Sequence, residues 1–184
     1  MIPNAKPKIK KDAALELLKK HKVSNPVCLV GIRGYYSKMG PTPGNDRNLY
    51  DDCLILVSSG GDVYATFNAN VDPAAYGRNP NVGKGYASLK PGTYTYKLGK
   101  HGIRRGNPYT ALVQGGPVTV ARDGGVEETG WFGINIHRGG LRSTSSEGCQ
   151  TVPPAQWEAF ISLVASELKR NNAKTVTYVL TSNN

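Results

Sequence analysis

The chain has 184 residues, 23 basic against 13 acidic, for a net charge of +10, with 22 glycines, 12 prolines and three cysteines. That length suits one domain whose core needs neither metal nor disulfide. An apolar fraction of 39% with 10 tyrosines excludes a disordered chain, and no apolar run is long enough for a transmembrane helix. In chain order, residues 1–9 read as a flexible basic arm. Asp12 is placed to cap a short helix over Ala13–Lys22, with Ala14, Leu15, Leu17 and Leu18 on its apolar side, and Ser24–Pro26 ends it. Arm and helix occupy 1–25, and a single catalytic domain is expected over 26–184. Strands are expected at Val27–Ile32, Cys53–Val57 and Asp62–Asn68, with a turn-rich loop over Gly40–Asp46 and a Gly60-Gly61 turn. Further strands are expected at Thr93–Leu98, Ala111–Gln114, Val118–Ala121 and Gly133–Ile136. Pro153-Pro154 opens an amphipathic helix over Ala155–Asn171, where Trp157, Phe160, Ile161, Val164 and Leu168 make one apolar stripe. Lys174–Thr181 closes the chain as a strand. The expected class is β-rich α+β with a mostly antiparallel sheet or barrel.

The charge is unevenly placed. Residues 1–22 carry seven lysines against Asp12 and Glu16, and residues 84–142 carry nine basic groups against three acids. Residues 143–184 are neutral and 23–83 slightly acidic. An anionic partner suits that distribution. No helix-turn-helix or RNA-binding signature accompanies it, so nucleic acid is not expected. Cys28, Cys53 and Cys149 are an odd number, which excludes a disulfide scaffold. Three scattered histidines lack metal-ligand spacing, and no cofactor or metal is expected. His21 reads as solvent-facing, and His101 as a hairpin-tip residue that could line a cleft.

The informative segment runs from Gly133 to Gln150. A strand delivers His137 at its end, a glycine- and serine-rich loop follows, and Ser146-Glu147-Gly148-Cys149 arrives just before the last helix. Taken singly, a cysteine reads as a buried hydrophobe, a histidine as structural and the glycines as turns. Together, in this order, they point to a thiol nucleophile with a histidine base. Gly148 permits an unusual backbone conformation before Cys149, and the Gly148 and Cys149 N–H groups could face an oxyanion. Arg138 and Arg142 would lower the thiol pKa.

A strand ending in His137, then Ser146-Glu147-Gly148-Cys149, resembles the L,D-transpeptidase catalytic domain family, whose pattern is a histidine followed by Ser/Thr-His-Gly-Cys. Leu89–Thr95 resembles that family's Pro-Gly strand, and the likeness spans roughly residues 50–152. The resemblance implies a β-rich fold and cysteine acyl transfer on peptidoglycan stem peptides. Cys149 would be the nucleophile, His137 the base, Gly148 and Cys149 the oxyanion donors, and Ser146 the motif's hydroxyl residue. Glu147 stands where the family has histidine, and Gln150-Thr151-Val152 lacks the arginine that follows the family's cysteine. Arg142 could replace that arginine on a stem carboxylate, Glu147 could hold a substrate amine, and Arg138 adds charge nearby.

The expected function is therefore stem-peptide hydrolysis through a thioester on Cys149, as an L,D-carboxypeptidase or endopeptidase. A delivered lytic protein such as a phage lysin or an antibacterial toxin fits this organisation. With no apolar leader segment behind Met1–Lys11, such a protein would be made in the cytoplasm and reach the periplasm or cell wall by another route. An immunity or delivery protein is a possible partner, and membrane insertion is not expected. The alternatives are cross-link formation or D-amino-acid exchange, a sortase-like enzyme, a non-catalytic cell-wall-binding phage protein, and a nucleic-acid binder. A sortase-like enzyme needs a later strand arginine, whereas Arg170 lies near a helix end.

Overall fold

The computed structural model describes residues 2–40, 46–58 and 60–183. The expected loop over Gly40–Asp46 lies mostly outside them. In chain order the elements are α1 (Lys11–Lys20), β1 (Val27–Arg33), β2 (Asp52–Ser58), β3 (Tyr64–Ala69), β4 (Arg78–Asn79), β5 (Lys84–Gly85), β6 (Ala87–Leu89) and β7 (Gly92–His101). A 3₁₀ turn (Ile103–Arg105) leads to β8 (Tyr109–Gln114), β9 (Val118–Arg122), β10 (Glu127–Gly130), β11 (Ile136–Arg138), β12 (Gln150–Val152), α2 (Pro154–Arg170) and β13 (Val176–Ser182).

Eight strands form one sheet in the order β12-β11-β8-β7-β13-β1-β2-β3. Its two ends meet at an antiparallel bridge, in which Asn70 N–H donates to Thr151 O at 2.9 Å and Thr151 N–H returns to Asn70 O at 2.7 Å. The sheet is thus nearly closed, which leaves little edge for foreign pairing. It is mixed rather than antiparallel throughout, because β11 pairs β12 in parallel and β1 pairs β13 in parallel. In both cases the second strand returns after a long connection, and such a connection permits parallel entry where a tight hairpin does not. A three-stranded sheet (β10-β9-β6) and the β4–β5 hairpin complete the strands.

Pattern explains most of these elements. β2 is apolar from Cys53 to Val57 because both its faces are covered. Leu54 and Leu56 join the main core, whereas Cys53, Ile55 and Val57 join a second cluster with Ala14 and Leu18 of α1. Burying such a side chain contributes roughly 1.5–3 kcal/mol. α2 begins with Pro154 at its first position and buries Trp157, Phe160, Ile161, Val164 and Leu168 against the main core. Phe67 of β3 meets Phe160 edge-on at 5.2 Å. α1 begins two residues earlier than expected. Lys10 is its cap residue without a side-chain bond, so Asp12 sits in the first turn and favours the helix dipole rather than capping it.

The N-terminal arm is held rather than free. Thr66 Oγ1 donates to Pro7 O at 2.8 Å, Tyr36 Oη to Ala5 O at 3.0 Å, and Lys8 N–H to Tyr35 Oη at 2.9 Å. Lys6 Nζ lies 5.0 Å over the Phe67 ring. All three hydrogen bonds use main-chain groups of the arm, two carbonyls and one N–H, which carry no sequence signature.

A buried acidic cluster lies where β1 and β2 meet their loops. Asp52 accepts the Gly34 and Val71 N–H groups, each at 2.6 Å. Arg33 Nε and Nη2 donate to Asp72 at 2.9 and 3.1 Å. Asp51 accepts the Asp46 N–H at 2.8 Å.

Candidate active site

The site is built where β11 and β12 run side by side. Gly133 has φ +70°, which bends the chain, so the ladder opens at Ile136 and not at Gly133. His137 is therefore the middle residue of β11 rather than its terminus, and it is buried. Its Nδ1–H donates to the Arg138 carbonyl at 2.8 Å. Because a carbonyl only accepts, this bond fixes the neutral tautomer and leaves the Nε2 lone pair open. Tyr109 Oη of β8 lies 3.5 Å from the same Nδ1 and donates to Arg138 O at 3.4 Å.

Cys149 immediately precedes β12 and is partly buried. Asn135, two residues before His137, donates its N–H to Cys149 Sγ at 3.4 Å, and the thiol donates to Gly133 O at 3.4 Å. The thiol and the imidazole share no hydrogen bond. Burial pushes the Cys149 thiol up to about 11; the Asn135 N–H opposes this and the Glu147 charge adds to it. His137 is pushed down to about 4 by burial first, then by the charge of His101 when that ring carries a proton, with Arg105 adding to it and the bond to Arg138 opposing it. Thiol and imidazole are thus both uncharged at neutral pH. The expected acidifying effect of Arg138 and Arg142 is not what this geometry gives. The Arg138 guanidinium lies 5.0 Å over the Tyr109 ring, Arg142 is exposed in the loop, and burial is the largest influence on the thiol.

The loop that leads into Cys149 is tightly organised. Gly148 has φ +147°, and a Cβ there would meet Ala87 O at 2.6 Å. Only glycine fits this position without strain. Ser146 is buried, donates from Oγ to Cys149 O at 2.6 Å and accepts the Gly148 N–H at 3.1 Å. The two expected oxyanion donors differ in their surroundings. The Gly148 N–H is engaged by Ser146, while the Cys149 N–H has no partner among the described residues. Ser146 therefore shapes the loop that presents Cys149. Glu147 is exposed and accepts from Asn79 Nδ2 at 3.2 Å and Asn81 Nδ2 at 2.6 Å, which ties the loop to the β4–β5 hairpin.

Sequence reasoning passed over the partners that complete the site. His101, at the end of β7, stacks on His137 with centroids 4.0 Å apart and planes 11° apart. Asn135 Nδ2 lies 3.3 Å from His101 Nδ1. Only the suggestion that His101 could line a cleft came near this; a contact between distant strands leaves no local signal. Trp131 and Leu141, on either side of His137 in the chain, are large and exposed. His21 bonds through Nδ1 to Thr93 Oγ1 at 3.2 Å, away from the site.

Cys28 and Cys53 are buried free thiols, and burial raises both pKa values, that of Cys28 to about 12. Among the described residues no group of His, Cys, Asp or Glu is arranged to hold a metal ion. None of their helices is long and apolar enough to cross a membrane. In comparisons with protein-family models, curated proteins and solved structures, nothing matches the chain, and the L,D-transpeptidase resemblance finds no support there.

Proposed function

We propose that this chain is a cysteine-dependent acyl-transfer enzyme acting on peptidoglycan stem peptides, and that it hydrolyses them as an L,D-carboxypeptidase or endopeptidase. The observation that carries the reading is the treatment of His137. Its Nδ1–H is tied to the Arg138 carbonyl and its Nε2 is left open, two residues from the Asn135 N–H that touches Cys149 Sγ. A base needs that tautomer and orientation. The thiol would leave the Gly133 carbonyl and give its proton to His137 Nε2 as sulfur attacks a stem carbonyl carbon. The oxyanion would meet the Cys149 N–H. His137 then returns the proton to the leaving amine, and a thioester remains. Water resolves it, giving its hydroxyl to the acyl carbon and a proton to the thiol sulfur. An amine in place of water would make the same site a transpeptidase.

The substrate class is supported by charge. Arg104, Arg105, Arg138 and Arg142 are exposed and form no ion pair with a described residue, whereas Arg33, Arg47, Arg122 and Arg170 each do. Free stem carboxylates are matched to such guanidinium groups. Incubation with purified peptidoglycan, followed by mass analysis of released muropeptides, tests the reading. Loss of terminal D-alanine or opened cross-links is expected, and new cross-links would identify transfer to an amine. A folded wild-type protein that leaves muropeptides identical to those from Cys149→Ala overturns it.

A further inference from the structure

We propose that His101 is a positioning residue for His137: a neutral imidazole, kept neutral by Asn135, that lies flat on the base and lets it carry the proton taken from Cys149. The proposal rests on His137 serving as base to Cys149, and not on which substrate is cleaved.

The assignment starts at Gln114. Its backbone N–H donates to Asn135 Oδ1 at 3.0 Å, which fixes the amide so that Nδ2 faces His101. Gln114 is itself locked, with Nε2 donating to Gly116 O and Gly130 O and Oε1 accepting the Phe132 and Ile134 N–H groups. The Asn135 amide therefore cannot turn over without losing the Gln114 bond. Its N–H donates to His101 Nδ1 at 3.3 Å, so Nδ1 holds a lone pair and the ring proton is on Nε2. Protonating Nδ1 would set two donors against each other. Asn135 thus selects the neutral ring.

Neutrality matters because of the stack. The rings are 4.0 Å apart and nearly parallel, so two imidazolium ions there would repel at close range. One imidazolium against one neutral ring is attractive instead. His137 can accept the Cys149 proton only while His101 accepts none. The groups facing His101 act in the same direction. Arg105 of the 3₁₀ turn adds a positive charge, and Tyr109 of β8 stands edge-on at 5.7 Å with a neutral hydroxyl. His137 of β11 covers its face, and Lys100 beside it on β7 is turned to Thr110 Oγ1 at 3.2 Å. Burial and then Arg105 hold His101 below the ordinary imidazole range.

The test uses full-length protein and two readouts that need no peptidoglycan. These are histidine-ring NMR titration and the pH dependence of Cys149 alkylation by iodoacetamide. In the alkylation, sulfur bonds carbon, iodide leaves and the thiol proton passes to His137. Asn135→Asp puts a carboxylate against Nδ1 and favours the protonated ring. It is expected to raise the His101 titration, and the acid limb of alkylation, by one pH unit or more. His101→Phe keeps a flat ring without a titrating group. It is expected to move the acid limb downward. An unchanged His101 titration and acid limb in Asn135→Asp, or a His101→Phe profile that overlays wild type, overturns the proposal. A protein inert towards peptidoglycan that still shows both shifts removes the substrate assignment and leaves the positioning role. Muropeptide cleavage with neither shift does the reverse.

Discussion

Two clusters of buried titratable groups divide this molecule, and they are treated in opposite ways. Around Arg33, most carboxylate oxygens are engaged: Asp52 accepts two backbone N–H groups, Asp72 takes the guanidinium and Asp51 accepts the Asp46 N–H. Burial drives Asp52 well above the carboxylate range, with Asp51 and Asp72 adding to this and the two N–H groups opposing it. Around Cys149, each group keeps one function open. His137 retains Nε2, Cys149 retains its N–H, and the thiol rests only on long contacts of 3.4 Å. Saturated polar groups hold loops in place, and open ones can meet a substrate. The teaching is that burial alone does not mark a candidate site; an open lone pair and an open donor gathered around one thiol do.

The contrast predicts which measurements each cluster will move. Cys149→Ala should abolish the proposed acyl transfer, a fall of at least about 10³-fold, while unfolding free energy stays within about 1 kcal/mol of wild type. Equal muropeptide yields from the two proteins would erase the distinction. Asp52→Ala should do the opposite. Two buried N–H groups lose their acceptor, so urea unfolding at pH 7 should report a loss of about 3 kcal/mol, with Cys149 alkylation of the folded protein unchanged. Gly148→Ala lies between them. Its Cβ would press on Ala87 O at 2.6 Å in a φ of +147°, so about 2 kcal/mol of stability should go together with most of the activity. A stable and active Gly148→Ala protein would show that the loop can present Cys149 from another backbone.

What could be read from the sequence follows the range of the interaction. β2 and α2 were legible because continuous apolarity and helical spacing are local patterns, and both are buried as expected. Gly148 was legible because it directly precedes Cys149. The parallel pairing of β11 with β12 was not, since register depends on how loop 139–149 is pinned. That loop is pinned by Tyr50 Oη to Gly140 O at 2.8 Å and Thr144 N–H to Asn48 Oδ1 at 2.9 Å. The bridge that Ser146 makes was not legible for a related reason: one hydroxyl can face a substrate or bridge its own loop, and the bond to Cys149 O appears only in the fold. His101 lies far from His137 in the chain, so their stack arises from the β7–β8–β11 order alone.

The smallest effect is also the most diagnostic, because the two clusters should respond to pH with opposite sign. Burial first, with Asp72 and Asp46 adding to it and backbone N–H groups opposing, raises Asp51 from 3.8 to about 6. The folded state then holds that proton more tightly than the unfolded chain. Its stabilising contribution is full below pH 3.8 and is lost as pH rises through about 6. His137 runs the other way. Its folded pKa of about 4 lies below the ordinary 6.5, so its contribution is full above 6.5 and is lost as pH falls towards 4. Asp51→Asn keeps an oxygen for the Asp46 N–H and removes the buried charge. Urea unfolding should show a gain of about 1 kcal/mol at pH 8, shrinking to nothing near pH 3.5, with the loss on the acid side of pH 6.5 left in place. The amide nitrogen would stand where Asp51 Oδ1, which has no partner among the described residues, stands now. A gain that persists at pH 3.5 would mean that the benefit is not electrostatic. A loss at pH 8 would mean that the carboxylate is needed in its charged form, and the acidic cluster would then belong with the working site rather than opposite it.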